Sequence, residues 1–201
     1  ISVKIDDKTS VYKEKLEDLT YEITEGTLYD GDDLNVTLIK ADGDVVGQYA
    51  ITGVYNNNNY EVSFVDGKYE ITKATQTIFT ENVELVYTYN GEVQTVNSGA
   101  YVLDTEQTIE YINNTFKTVA EGNKKIVTIK VSETANYNEA SVTVELTVNR
   151  YDLTLTWGES TFVYDRTNKE VSATIEKLYN DDVYLSYEEN NKVGVGKYVA
   201  V

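Results

Sequence analysis

Hydrophobic and polar residues alternate along most of this chain. Over residues 141–148 the period is strictly two, with Val142, Val144, Leu146 and Val148 on one face and Ser141, Thr143, Glu145 and Thr147 on the other. Successive side chains of a strand point to opposite faces, so this segment predicts a half-buried antiparallel strand. Residues 126–131, 60–65, 68–72, 34–39 and 152–157 behave alike and are rich in Val, Ile, Thr and Tyr, the residues that fit a pleated surface. Turn residues separate them: Asp30-Gly31-Asp32, Asp42-Gly43-Asp44, Asp66-Gly67 and Asn90-Gly91. Asp66-Gly67 joins two alternating segments directly and predicts a hairpin. Residues 12–19 and 110–118 could hold a turn or two of helix, but neither has a sustained helical period or a convincing cap.

The pattern repeats. A Tyr followed by turn residues recurs as Tyr12-Lys13, Tyr89-Asn90-Gly91 and Tyr164-Asp165-Arg166. A Gly that opens a late strand recurs at Gly47 and Gly196, with Gly122 and Asn123 in the equivalent middle place, and an Asn-Tyr pair precedes a strand at Asn59-Tyr60 and Asn136-Tyr137. Each landmark advances by about 75 residues, the span of one small module. The chain therefore divides into modules at 1–74, 75–150 and 151–201, the last stopping straight after its Gly-x-Tyr segment. If Val201 is a true end, residues 196–201 form an open strand edge, and either the rest of the module exists unseen or another chain completes the sheet by strand addition. Neither joint between modules holds a Gly/Ser-rich or Pro-rich tract, which predicts stiff end-to-end connection rather than flexible linkage.

Composition narrows the chemistry. The 201 residues include no Cys, His, Met or Pro and carry a formal charge of −17. Without Cys or His there is no thiol nucleophile, Ser-His-Asp triad, disulfide or His-bound metal. The charge argues against nucleic acid and anionic membranes as partners, because phosphate neutralisation needs clustered Lys and Arg. A start at Ile1 inside a strand, with no Met and no apolar run of membrane length, reads as a piece of a longer protein.

The first unit resembles the MBG repeats of bacterial surface adhesins through Val11-Tyr12, Gly31-Asp32, Val46-Gly47-Gln48-Tyr49-Ala50-Ile51, Asn59-Tyr60 and Ile71-Thr72-Lys73-Ala74. The third unit shares Tyr164-Asp165, Asp181-Asp182 and Val195-Gly196-Lys197-Tyr198; the second matches more loosely. Lys13 and Arg166 stand where the family usually has Gly, so the turn is expected to use a geometry other than positive φ. The resemblance implies tandem all-β modules of a cell-surface, extracellular protein. Such modules usually act as spacers and occasionally bind ligands. An Ig-like sandwich is preferred over a β-grasp arrangement, which would need a sustained helix packed on its sheet. The expected function is a non-enzymatic stalk segment whose partners are its neighbouring modules; the alternative is an adhesin module that binds a host glycan or protein.

Four features compete as sites. Asp30, Asp32 and Asp33 alternate carboxylates around a Gly, the chemistry of a structural Ca²⁺ loop, but the full EF-hand spacing is missing and a solvated turn between strands is the simpler reading. Asn180-Asp181-Asp182 is the repeat equivalent. Trp157 lies in phase with Leu153 and Leu155, which predicts a core position. The recurrent Tyr12, Tyr49, Tyr60, Tyr137, Tyr164 and Tyr198 suit packing roles with each phenol reaching a backbone partner. An intramolecular Lys-Asn or Lys-Asp crosslink would suit a Cys-free stalk and requires a buried Lys. With 34 acidic residues no carboxylate pair stands out for glycoside hydrolysis.

Overall fold

The computed structural model describes residues 1–117, 124–176 and 181–200. Gly122, Asn123, Asn180 and Val201 lie outside these. Every regular element among the described residues is a strand: β1 (Ser2–Ile5), β2 (Lys8–Val11), β3 (Tyr21–Glu25), β4 (Thr37–Lys40), β5 (Gly47–Val54), β6 (Ser63–Val65), β7 (Gly67–Thr72), β8 (Val86–Thr88), β9 (Gln94–Thr95), β10 (Ile109–Ile112), β11 (Thr115–Phe116), β12 (Lys124–Val131), β13 (Ala140–Asn149), β14 (Leu155–Trp157) and β15 (Ala173–Ile175). The all-β class read from the alternation is the class observed. β13 carries the predicted pattern: Val144, Leu146 and Val148 are buried, while Thr143 and Glu145 face solvent. The two candidate helical segments contain turn and strand instead, since neither had a cap to nucleate a first turn.

The chain clusters into two compact units. The first comprises Ile1–Asn82, Gly99–Ile112 and Ile129–Val142, the second Val83–Ser98, Asn113–Thr128 and Thr143–Val201. In the first unit β3-β1-β6 form one sheet and β2-β7-β5-β4 another. Their shared core is Ile5, Ile51, Tyr69 and Ile71, with Phe64, Leu38 and Leu19 packed against it. Apolar burial of this kind stabilises by about 1.5–3 kcal/mol per large side chain. The Tyr69 phenol is kept satisfied there by Ser10 and by the Glu17 amide at 2.6 Å.

The sheets are mixed rather than purely antiparallel. β1 runs parallel to β6 (Val3↔Phe64) and β2 runs parallel to β7 (Ser10↔Ile71), with the same register offset on both sides of a bend. The two chains cross from one sheet to the other side by side, at Asp6–Asp7 and at Asp66–Gly67. This overturns the hairpin expected at Asp66-Gly67. A two-residue hairpin of the type favoured by Asp-Gly needs positive φ at both central residues, and neither residue has it. Gly67 is required for a different reason. A Cβ there would come within 2.8 Å of the Asp6 carbonyl oxygen, so the two backbones could not cross so closely. The Lys68 amide donates to the Asp7 carboxylate at 2.7 Å and holds the crossing.

Parallel first and last strands put the start and finish of a module at opposite ends. The second unit has the same arrangement: β8 runs parallel to β13, and Val86↔Thr147 has the sequence separation of Thr9↔Glu70. Its buried residues are Val83, Val96, Phe116, Val127, Val144, Leu146, Val148 and Ala173, with Tyr87 edge-on to Phe116 at 5.0 Å. β14 pairs with β15 in a two-stranded sheet. Trp157 is 45% exposed and Leu155 40%, which corrects the core position expected for Trp157. Alternation places both on one face, but a two-stranded ribbon supplies too little surface to bury it. The Gly196 segment, expected to open a strand, has no ladder among the described residues.

Candidate functional site

The densest side-chain network in the first unit surrounds the segment that leaves β7, where the repeats place the joint between the first and second modules. Its upper wall is the turn after β2. The Tyr12 amide donates to the Thr72 carbonyl at 2.8 Å and the Glu14 amide closes the turn on Val11 at 3.0 Å. Lys13 sits in the left-handed region at φ 63, and its counterpart Arg166 at φ 70. The turn thus keeps the geometry that Gly would provide, correcting the expectation that its loss forces another. A non-Gly residue there costs about 1–2 kcal/mol, so something must hold Lys13 in place.

The backbone bonds of Tyr12 and Glu14 on either side hold the turn, and the Lys13 side chain reaches Asp104. The Lys13 ammonium forms an ion pair with its carboxylate, and the Tyr137 hydroxyl donates to the same carboxylate at 2.7 Å. Tyr137 is 4% exposed, and its ring stands edge-on to Tyr12 at 5.4 Å. The Asp104 backbone is gripped from below by Gln76. The Asp104 amide donates to Gln76 Oε1 at 2.7 Å, while Gln76 Nε2 donates back to the Asp104 carbonyl at 2.9 Å. Gln107, also 4% exposed, donates from Nε2 to the carbonyls of Ser132 at 2.7 Å and Asn138 at 2.8 Å. A carboxamide is needed there because one nitrogen must satisfy two otherwise orphaned carbonyls.

Backbone pairing completes the lock. The Ala74 amide donates to the Asn136 carbonyl at 3.0 Å and the Asn138 amide to the Ala74 carbonyl at 2.8 Å. Asn136 explains the Asn of the Asn-Tyr landmark, since its Oδ1 accepts from the Val46 amide at 3.1 Å and its Nδ2 donates to Glu106 at 3.1 Å. Lys73 reaches Glu133 at 2.6 Å and the Thr134 carbonyl at 2.7 Å. Partly exposed ion pairs such as these are screened and contribute little. The strength of the lock therefore lies in Tyr137, Gln107 and the backbone pairs.

Electrostatics follow the geometry. The Lys13 ammonium, then the Tyr137 hydroxyl, hold the Asp104 carboxyl down to about 2 from 3.8. Burial, then the Asp104 carboxylate, push the Tyr137 phenol up to about 12 from 10.0. The contribution of Asp104 to stability is complete above its unfolded value and is lost as pH falls from about 4 towards 2. That of Tyr137 is complete below pH 10 and is lost as pH rises towards 12. Thermal melting of the first unit is expected to be flat between these limits and to fall outside them. Asp104→Asn should make the acid fall shallower; an unchanged acid limb would remove Asp104 from the lock.

The sequence reading gave these tyrosines backbone partners, which holds for Tyr49, whose hydroxyl donates to the Val45 carbonyl at 2.7 Å. Tyr60 meets it too, accepting from the Tyr29 amide at 2.9 Å while donating to Asp32, whereas Tyr137 donates to Asp104; the Tyr-turn residue Tyr89 donates to Asp181. The signal that was missed is spacing. Lys13 and Asp104 are 91 residues apart, and Tyr89 and Asp181 are 92 apart, so the first two Tyr-turns each meet an Asp of the next repeat.

In the acidic loop, Asp32 accepts from Tyr60 at 2.5 Å and Asp33 from the Asn35 amide at 2.8 Å, while the Asn57 carboxamide donates to the Asp33 carbonyl at 2.9 Å. Asp30 is exposed. No group of three carboxylates able to hold a metal ion occurs among the described residues. Melting in calcium and in chelator is expected to give one midpoint, because Asp32 and Asp33 already have partners; a rise in calcium would establish Asp30, Asp32 and Asp33 as a metal site. No lysine among the described residues is buried, so the crosslink finds no shielded lysine there.

Comparison with known families supplies the remaining fact. Residues 1–70 match the MBG domain of the YGX type. No curated protein matches the chain. The matched MBG module ends at β7, immediately before the Lys73–Gln76 connector, and contributes Tyr12 and Lys13 to the lock. An MBG repeat is a non-catalytic type of domain.

Proposed function

We propose that this chain is a stalk segment of a large bacterial cell-surface protein, carried outside the cell. In this reading MBG-type modules are joined in line, and each joint is locked by side chains rather than left as a linker. The observation that carries the reading is the pair of carboxamides at the joint: Gln76 grips Asp104 at both its amide and its carbonyl, and Gln107 ties down Ser132 and Asn138. Opposite-end strand exits add reach, and the charge of −17 keeps neighbouring stalks apart. Limited proteolysis of the full chain tests this directly. The connector at Lys73–Gln76 should resist cleavage as well as β7 does, and rapid cutting there would mark a flexible linker.

One observation favours a second reading, an adhesin module that binds a glycan. In the second unit Trp157, Phe162, Tyr164 and Tyr198 line an open cleft of about 760 Å³, and exposed aromatic faces stack on sugar rings. Aromatic-dependent binding on a glycan array, lost in Trp157→Ala, would establish it in place of the spacer role.

A further inference from the structure

The lock at Asp104 has two relatives in the chain, and one of them is unmated. At Asp104 a landmark tyrosine, Tyr137, donates to an Asp 33 residues upstream, and the pair receives Tyr12 and Lys13. At Asp181 the next Tyr-turn supplies Tyr89, whose hydroxyl donates at 2.6 Å. At the start of the MBG module Tyr60, the other Asn-Tyr landmark, donates to Asp32, 28 residues upstream, at 2.5 Å. No lysine or arginine among the described residues forms an ion pair with Asp32.

We infer that Asp32 and Tyr60 form a socket for the Tyr-turn of another module of this type, with a lysine or arginine in a left-handed conformation on Asp32 and a phenol ring edge-on to Tyr60. The full arrangement is seen at Asp104, with Lys13 on the carboxylate and Tyr12 edge-on to Tyr137, and it shows what the site receives; at Asp181 the Tyr-turn supplies a hydroxyl. Position agrees with this occupant. The Ile1 amino group donates to the Glu61 carbonyl at 2.8 Å, beside Tyr60, just as the Asn138 amide, beside Tyr137, meets the Ala74 carbonyl of the connector. A module attached ahead of Ile1 would therefore arrive at the socket with its own Lys73–Gln76 connector in the place of the native one. The turn at Tyr164 offers the complementary half: Tyr164 is 56% exposed, Arg166 holds the left-handed φ of Lys13, and Arg166 forms no ion pair among the described residues.

The inference rests on the in-line reading above, and its test separates the two. Residues 1–77 are placed ahead of the complete 201-residue chain, so that Lys13 of the added copy faces Asp32 of the following one. Carboxyl titration by NMR with labelled aspartate is then read at Asp32 and, as an internal control, at Asp104. In the fusion the Asp32 midpoint should fall by about one pH unit relative to the single chain, the shift expected for a cation brought within hydrogen-bond distance. Lys13→Gln in the added copy alone should restore it. An unchanged Asp32 midpoint, with Asp104 still low in both proteins, overturns the socket while leaving the native joint intact. A midpoint that falls in the unfused chain as its concentration rises assigns the site to the Arg166 turn of a second copy, and overturns the in-line occupant.

Discussion

Tyr137→Ala is expected to destabilise the first unit by about 3–5 kcal/mol, the cost of deleting a large buried aromatic ring, and Tyr137→Phe by about 1 kcal/mol. The difference follows from what each change removes. Ala empties a site that is 4% exposed and leaves Tyr12 without its edge-on partner at 5.4 Å. Phe keeps the ring and removes only the hydroxyl that Asp104 accepts from. Asp104 retains Lys13 and partial access to water, with its side chain 21% exposed, so its lost hydrogen bond is partly replaced. Hydrogen exchange at the Ala74 and Asn138 amides reads the effect at the lock itself, independently of whether the whole chain unfolds in one step. Equal losses from Ala and Phe would mean that the ring is not packed as described.

Gln107→Leu carries the second large effect, about 2–4 kcal/mol. Leu matches the buried volume, but the carbonyls of Ser132 and Asn138 then lose their shared donor at 2.7 and 2.8 Å. Burying a carbonyl with no partner costs more than the added apolar contact returns. Gln107→Glu gives a sharper signature. At neutral pH a carboxylate would face two carbonyl oxygens in a dry site, which is more damaging than Leu. On acidification from pH 7 to 5 the acid protonates and offers one donor, so this variant should gain stability. The parent chain should stay level over that range, because Asp104, at about 2, titrates far below it. A Glu variant indifferent to pH would show that Gln107 is not shielded from water.

The fold class was legible because alternation directly reports which face of a strand is buried, and β13 follows it residue by residue. Asp66-Gly67 misled because the same dipeptide serves two purposes. Gly was needed for the close crossing of two backbones, and nothing local distinguishes that from a turn. Trp157 misled because phase says which residues share a face, not whether a layer covers it. The lock was half legible. Recurrence picked out Tyr12, Tyr137 and the Asn before it, but their partners Asp104 and Glu106, and Gln107 beside them, belong to a loop outside the landmarks. Burial of a glutamine leaves no trace in a polar stretch such as Asp104-Thr105-Glu106-Gln107. Lys13 shows the reverse case. Substitution of the family's usual glycine suggested a lost geometry, whereas the structure keeps the left-handed turn and places the cation on Asp104.

The absence of cysteine makes the decisive measurement direct, since labels can be placed at will. Thr52→Cys on β5 and Glu110→Cys on β10 are both exposed and lie in the first unit, on either side of the connector. Spin labels at these two sites report the distance across the joint by pulsed electron resonance. A locked joint predicts one narrow distance distribution in the parent chain that broadens in Gln107→Leu. A broad distribution in the parent chain, unchanged by that substitution, would contradict the lock and with it the stalk.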